Sequence, residues 1–322
     1  MKEITDYGKV FETLIEKTEE YILGNNLHAM VLGISGGIDS TVVAAICHEV
    51  SKRTNIPLIG RSLPTKFNKE GEITTADLVG KAFCTDYKKV DIHLAYCALR
   101  TGFNSEEISV EHPEKYPIAN GNIQARLRMI YLYNLASIHR GLVMDTDNLT
   151  ENNLGYFTIH GDVGDFNPIG GLWKTEVFEL AKWLLSYYSF QIPHNMYEAT
   201  SEQLEKAGKV FQRGKAIKES LQLKPTAGLG ITNNDLEEIG AESYEQVDNI
   251  LKEILAWKYM TLWVNKVPID QTTPWEQRNA FLEEQQMLDI PIKVIMAVTD
   301  RHFKSEFKRK QLPIKITRDE IV

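Results

Sequence analysis

Six residues near the N-terminus, Ser35-Gly36-Gly37-Ile38-Asp39-Ser40, interrupt two apolar runs in the stretch VLGISGGIDSTVVAAI, Val31 to Ile46. Paired glycines flanked by hydroxyls and a carboxylate suit the binding of an anion. Without a Cβ in the way, main-chain N–H groups can come within hydrogen-bonding distance of phosphate oxygens. A helix that starts near Asp39 would aim its free N–H groups and its dipole at the same point. Ser35 and Ser40 supply hydroxyl donors. The Walker A lysine is missing and the glycine spacing does not fit G-x-G-x-x-G, so those two phosphate-binding patterns fit poorly. Asp39 would repel phosphates unless a cation lay between, so it reads as a Mg²⁺ ligand; the plainer alternative is a helix cap.

The elements that must position this loop follow from periodicity. Tyr7, Val10, Phe11, Leu14, Ile15 and Ile22 lay an apolar stripe along a leading helix. Four short runs, His28–Ile34, Ile56–Pro64, Tyr87–Ile92 and Gly141–Thr146, read as strands. Between them lie the helical patterns STVVAAICHEVSK, EITTADLVGKAF and NIQARLRMIYLYNLASIH. Strands alternating with helices predict an α/β fold, a parallel sheet flanked by helices. Beyond Lys174 the pattern turns mainly helical. The expected organisation is a single domain over residues 1–322: a leading helix over 1–26, an α/β core over 27–190, and a mainly helical part over 191–322 with a mobile loop and a basic tail. That end, RHFKSEFKRKQLPIK, reads either as a disordered tail or as a flap closing over an anion. The helix over NIQARLRMIYLYNLASIH carries enough apolar surface to suggest a homodimer.

Composition narrows the partners. Of 322 residues, 43% are hydrophobic, as in a globular protein with a well-buried core. Thirty-six basic and 44 acidic side chains leave a net charge of −8, which gives no general attraction to nucleic acid or to an anionic membrane. No apolar run approaches the ~18 residues needed to span a bilayer, and the N-terminus is too acidic for a secretory signal, so a cytoplasmic protein is expected. Cys47, Cys84 and Cys97 form no C-x-x-C pair and read as buried thiols.

SGGIDS after a strand resembles the pyrophosphate loop of the N-type ATP pyrophosphatases, whose fold is of the Rossmann-like, adenine nucleotide alpha hydrolase kind. Three further stretches are similar to one branch of that group, the NAD synthetases. They are GNIQARLRM (Gly121–Met129), DTDNLTENNLGYFTIHGDVGDFNPIGGLWKTEV (Asp145–Val177) and KPTAGLG…DLEEIGAESYEQVD (Lys224–Asp248). The resemblance implies that Gly33, Ile34, Ser35, Gly36, Gly37, Ile38, Asp39 and Ser40 enclose the phosphates of ATP. It places Thr146 and Lys174 on ATP, Glu151 beside Asp39 on Mg²⁺, Arg126, Asp165 and Lys308 on deamido-NAD, and Thr226 on a mobile loop that closes over ATP. Asp39, Lys174 and Asp165 would be the catalytic residues.

The residues themselves agree in part. Glu151 lies just past a strand's C-terminal end, where ligands collect in open α/β sheets. Lys174 opens a helix, where the dipole disfavours a cation, so a neighbouring phosphate would account for it. Arg126 and Arg128, two apart, cannot share a helix face, so at most one reaches the site. The chain also departs from the family pattern. Ile159 stands where the family has lysine, Phe307 replaces a histidine, Asp165 aligns only across a gap, and the stretch between Phe190 and Pro225 is longer than in the short bacterial form.

The implied reaction is amidation of deamido-NAD. Its carboxylate attacks the α-phosphate of ATP, pyrophosphate leaves, and ammonia then displaces AMP, with Asp162 or Asp165 taking a proton from ammonium. With the loop so near the N-terminus, no amidohydrolase domain is expected ahead of it, which implies free ammonia or a separate ammonia-supplying partner. Two alternatives stand beside this: the same chemistry on nicotinate mononucleotide, motivated by Ile159, or a non-catalytic nucleotide-binding homologue. A tRNA-thiolating member would show a catalytic cysteine pair or a basic RNA face, and neither is visible.

Overall fold

The computed structural model describes residues 3–103, 117–192, 200–224, 235–261, 272–285, 289–309 and 314–321. In the first half the elements are α1 (Tyr7–Gly24), β1 (Met30–Gly33), α2 (Ile38–Thr54), β2 (Leu58–Ser62), α3 (Glu70–Phe83), β3 (Asp86–Lys89), α4 (His93–Phe103), α5 (Pro117–His139) and β4 (Leu142–Met144). The second half holds α6 (Leu149–Leu154), β5 (Phe166–Asn167), α7 (Lys174–Phe190), α8 (Ser201–Gln222), α9 (Asp235–Ile239), α10 (Tyr244–Tyr259), α11 (Pro274–Glu284), α12 (Ile292–Lys304), α13 (Glu306–Arg309), β6 (Ile314–Lys315) and α14 (Arg318–Ile321).

The strands form one six-stranded sheet in the order β3-β2-β1-β4-β5-β6, every pairing parallel. The four expected strands are all present, within two or three residues of their predicted limits. Both faces of the sheet are covered, so its central strands bury successive side chains on opposite sides. Met30 and Leu32 of β1 join the cluster under α1, α2, α7 and α8, while Val31 joins Met129, Leu132 and Ala136 of α5 on the other face. A third cluster holds the helical half together, with Leu154, Trp173, Val247, Ile254, Phe281 and Val298 at its centre. No described helix is long and apolar enough to cross a membrane.

Two expectations are corrected here. The basic end is neither a disordered tail nor a flap among its described residues: Arg301–Lys304 finish α12, Glu306–Arg309 form α13, and Ile314–Lys315 pair with Phe166–Asn167 as the sheet's sixth strand. A two-residue strand beside a lysine-rich run leaves no alternating pattern to detect. Of the three cysteines, only Cys47 is fully buried; Cys84 and Cys97 are half-buried, because they sit at the end of α3 and on α4 at the periphery.

Asp248 of α10 ties the helical half to the sheet half. It accepts from the hydroxyl of Thr150 in α6 (2.5 Å) and from the amide (3.1 Å) and hydroxyl (2.8 Å) of Thr175 in α7, and it is fully buried. Thr150 Oγ1 in turn accepts from the amide of Lys174 (2.8 Å). Removing both acceptors would strand several buried donors at about 1–3 kcal/mol each. Asp248→Leu is therefore expected to lower the thermal midpoint by roughly 5 °C or more and Asp248→Asn by less. Calorimetric scans of the two variants check this, and a leucine variant that melts with the wild type would refute the tie.

Candidate active site

The order of the strands reverses between β1 and β4, the place where an open α/β sheet leaves a crevice at its carboxyl edge. The glycine turn follows β1 and the run Asp145–Glu151 follows β4, so both open onto that crevice. Gly36 has φ +86, and a Cβ there would stand 2.6 Å from the carbonyl oxygen of Glu72 and 2.8 Å from the amide nitrogen of Ala76. Only glycine suits both the left-handed backbone and the close approach of α3. Gly37 caps α2 without a side-chain acceptor, which leaves the helix's first turn free of side-chain capping. Ser35 and Ser40 are 3.0 Å apart through their hydroxyls, and Ser40 and Thr41 both donate to the Gly37 carbonyl, at 3.0 and 2.9 Å. Thr41 is also 2.7 Å from the hydroxyl of Ser220, so α8 braces the turn from behind.

At the mouth of this turn the Lys174 ammonium donates to Asp39 Oδ2 (2.5 Å) and to Glu151 Oε1 (2.9 Å). Lys174 is 1% exposed, whereas the two carboxylates keep partial contact with water. Burial opposes its charge, but the two carboxylates outweigh burial and hold its pKa well above the usual lysine value. The countercharge that a lysine at a helix start demands thus comes from two acidic side chains. Asn148 completes the frame. Its amide donates to Asp39 Oδ1 (2.9 Å), and with Glu151 it forms a reciprocal cap at the start of α6. The N-x-x-E spacing carries that signal, although the sequence reading used only its glutamate.

Beneath lie further carboxyls. Asp145 is 1% exposed, and burial, reinforced by the charge of Asp162, pushes its pKa up to about 7 against the pull of hydrogen bonds such as that from the amide of Asp147. Burial and then the neighbouring Asp145, Asp162, Glu151 and Asp39 raise Asp147 well above the carboxylate range. Asp162 is open to water as a residue, yet the cleft walls crowd its carboxyl and desolvation lifts it to about 6, even with the amide of Thr158 donating to it.

Other anticipated residues sit elsewhere. Thr146 occupies the turn after β4, half-buried between Asp145 and Asp147. Arg126 is exposed and donates to the Ile159 carbonyl (3.2 Å), whereas Arg128 turns inward to Leu63 O and Asn68 Oδ1, both at 3.1 Å. Asp165 is not brought to the Asp39 group: its oxygens accept from Tyr133 Oη and the amide of Val143, both at 2.9 Å. Lys308 donates to the carbonyls of Gly155 (2.8 Å) and Phe157 (2.7 Å), so it holds the turn after α6. Thr226 lies outside the described residues.

A parallel sheet with a glycine turn and an acidic, lysine-bridged pair at its switch point defines a nucleotide-handling α/β protein. The chain belongs to the NAD synthase family, whose model matches residues 10–312. It is 34% identical to the NH(3)-dependent NAD(+) synthetase of Methanococcoides burtonii over 234 residues, 72% of this chain and 74% of that protein. The enzyme of the same description from Thermoplasma acidophilum is 32% identical over 251 residues, 77% of this chain and 85% of that one. The solved structure of NMN synthetase from Francisella tularensis shares the fold, with a TM-score of 0.66 at 24% identity over 95% of this chain and 97% of that one.

The buried carboxyl of Asp145 has a measurable signature. Folded, it holds its proton up to about pH 7, while unfolded it releases it near the ordinary 3.8. Between those values the folded state binds the extra proton, so the contribution of Asp145 to stability falls as pH rises and is lowest above about pH 7. Asparagine keeps an acceptor for the amide of Asp147 and removes the charge. Urea unfolding should therefore show Asp145→Asn gaining stability relative to wild type between about pH 5 and pH 8. A difference that does not vary with pH would refute the ionisation.

Proposed function

We infer that this chain catalyses ATP-dependent amidation of deamido-NAD by ammonia, giving NAD, AMP and pyrophosphate. The observation that carries this reading is the convergence of Asp39, Glu151 and Lys174 beside the glycine turn, in a chain of the NAD synthase family.

Asp39 and Glu151 reach the same ammonium, so one small hard cation can take both carboxylates, and Mg²⁺ is suited to oxygen donors that leave room for phosphate and water. When bound, that ion would neutralise charge on the triphosphate. The main-chain amides of Gly36 to Ser40 hold the β- and γ-phosphates. Lys174, released from the carboxylates, then balances the charge that grows on departing pyrophosphate. The nicotinate carboxylate forms a bond to the α-phosphorus as the bridge to pyrophosphate breaks. Ammonia then bonds to the acyl carbon as AMP leaves. Most of the rate comes from alignment and charge balance.

For the ammonium proton, Asp162 is better supported than Asp165, because desolvation raises its pKa while both oxygens of Asp165 are engaged. Arg126, exposed beside Ile159, is placed to meet the acid substrate. A homodimer through α5 is supported by Ile118, Ile130 and Ile138, each more than 60% exposed. Nicotinate mononucleotide is the second reading, favoured by Ile159, which offers Arg126 only its carbonyl where the family has a lysine side chain.

Purified protein supplied with Mg-ATP and ammonium should release AMP with deamido-NAD and not when Asp39 is replaced by asparagine. No AMP with either acid would sink the assignment, and a preference for the mononucleotide would promote the second reading. Lys174→Met separates the lysine's two roles. It removes a competitor for the two carboxylates, so Mg²⁺ alone should raise the melting temperature more than in wild type, while turnover falls by roughly 100-fold or more. Unchanged Mg²⁺ stabilisation would show that the ion does not share these carboxylates.

A further inference from the structure

At the far end of α2 from the glycine turn, about 15 Å along the helix from Ile38 to His48, a cavity of about 330 Å³ opens between α2, α3 and α8. Its lining includes His48, Lys52, Lys81, Lys209 and Arg213. In a chain of net charge −8 this is a local excess of cations. Lys52 pairs with Glu49 (2.6 Å) and Lys209 with Glu205 (2.7 Å). Among the described residues, Lys81 and Arg213 have no acidic side chain within ion-pair distance. The Arg213 guanidinium is nevertheless held in place, since its Nε donates to the Ala82 carbonyl (3.2 Å) and its plane lies over the ring of Tyr188. That bond leaves the two terminal nitrogens for a ligand, the fork that suits phosphate.

His48 adds a second determinant. Its Nδ1 lies 2.8 Å from the Phe83 carbonyl, which accepts the proton carried there, and its buried Nε2 has no hydrogen-bond partner. Burial, helped by Arg213, pulls the pKa of His48 down to about 4, so the ring is neutral near pH 7 and Nε2 is an acceptor. A bare anion leaves that atom unsatisfied, whereas a ligand hydroxyl would satisfy it. Arg213 and Lys209 come from α8. Seven residues beyond Arg213 the same helix places Ser220 against Thr41, behind the glycine turn.

We propose that the cavity between α2, α3 and α8 is a binding site for a small hydroxyl-bearing phosphate ester, with the phosphate on Arg213 and Lys81 and a hydroxyl donating to His48 Nε2. The volume sits at the small end of ligand pockets, which suits a pentose phosphate and is too small for a dinucleotide. The site is separate from the crevice at the carboxyl edge of the sheet and does not depend on the reaction assigned there.

The probe is ribose 5-phosphate, titrated calorimetrically into the full chain with ATP saturating the glycine turn and no acid substrate present. One site per chain is expected. Lys81→Gln with Arg213→Gln should weaken it by roughly tenfold or more, with ATP binding unchanged. Lys81→Arg with Arg213→Lys should retain most of the affinity, which separates loss of charge from loss of fold. Inorganic phosphate should bind more weakly, and His48→Phe should bring ribose 5-phosphate down to that level. No heat with wild type, or an isotherm unchanged by the glutamine pair, overturns the site. Equal affinity for phosphate and ribose 5-phosphate overturns the role of His48.

Discussion

One ammonium bridging two carboxylates organises this molecule. Lys174 at the head of α7 draws Asp39 from the first turn of α2 and Glu151 from the start of α6 to a single point. Three segments far apart in the chain are thereby held in register at the sheet's carboxyl edge. A fully buried lysine is tolerable only with both partners in place, because leaving a buried charge unpaired costs about 3–5 kcal/mol. The rest of the second half serves that point. Asp248 fixes the first turn of α7 through Thr175 and Thr150, and Arg318 grips Glu176 through two bonds at 2.6 and 2.7 Å. Helices remote from the nucleotide are thus the mounting of one side chain.

The same arrangement explains how an acidic site can receive a triphosphate. Asp39, Glu151, Asp145, Asp147 and Asp162 would all repel a phosphate if ionised together. Burial keeps protons on part of this set, with Asp147 raised well above the carboxylate range and Asp145 to about 7. The pair nearest the glycine turn is half compensated by the single charge of Lys174 instead. A divalent cation held by this pair would supply positive charge at the turn and leave the lysine to face phosphate.

Much of this was legible in the sequence, and the legible parts share a physical basis. The four central strands are apolar runs because both sheet faces are covered, and the glycine turn stands out because Gly36 needs a left-handed backbone at a point where α3 leaves no room for a Cβ. Asp39 is legible by its type and its place at a helix start, whereas Glu151 and Lys174 follow from the family resemblance, with which their places at a strand end and a helix start agree. What escaped depends on tertiary contacts that leave no periodic trace. β5 and β6 are two residues long and exist because β4 offers an edge to β5, and β5 in turn to β6. Asp165 carries the right chemistry but is bonded to Tyr133 of α5 and to the amide of Val143, a fit visible only once the sheet is assembled. Asn148 was within the quoted motif and overlooked, because its role is to position Asp39 through a bond across 109 residues.

The length of the chain beyond α7 also has a physical rationale. α8 buries Ala207, Val210, Ala216, Ile217 and Ser220 against α2, α3 and α7, and so lies along the outer face of the helix that carries the glycine turn. Its contact with that turn is polar and specific: Ser220 meets Thr41, whose hydroxyl donates to the Gly37 carbonyl. A helix that served only to cover apolar surface would have no reason to place a buried hydroxyl there, since an unpaired one would cost about 1–3 kcal/mol. The pairing means that the seat of Gly37 is set jointly by α2 and α8.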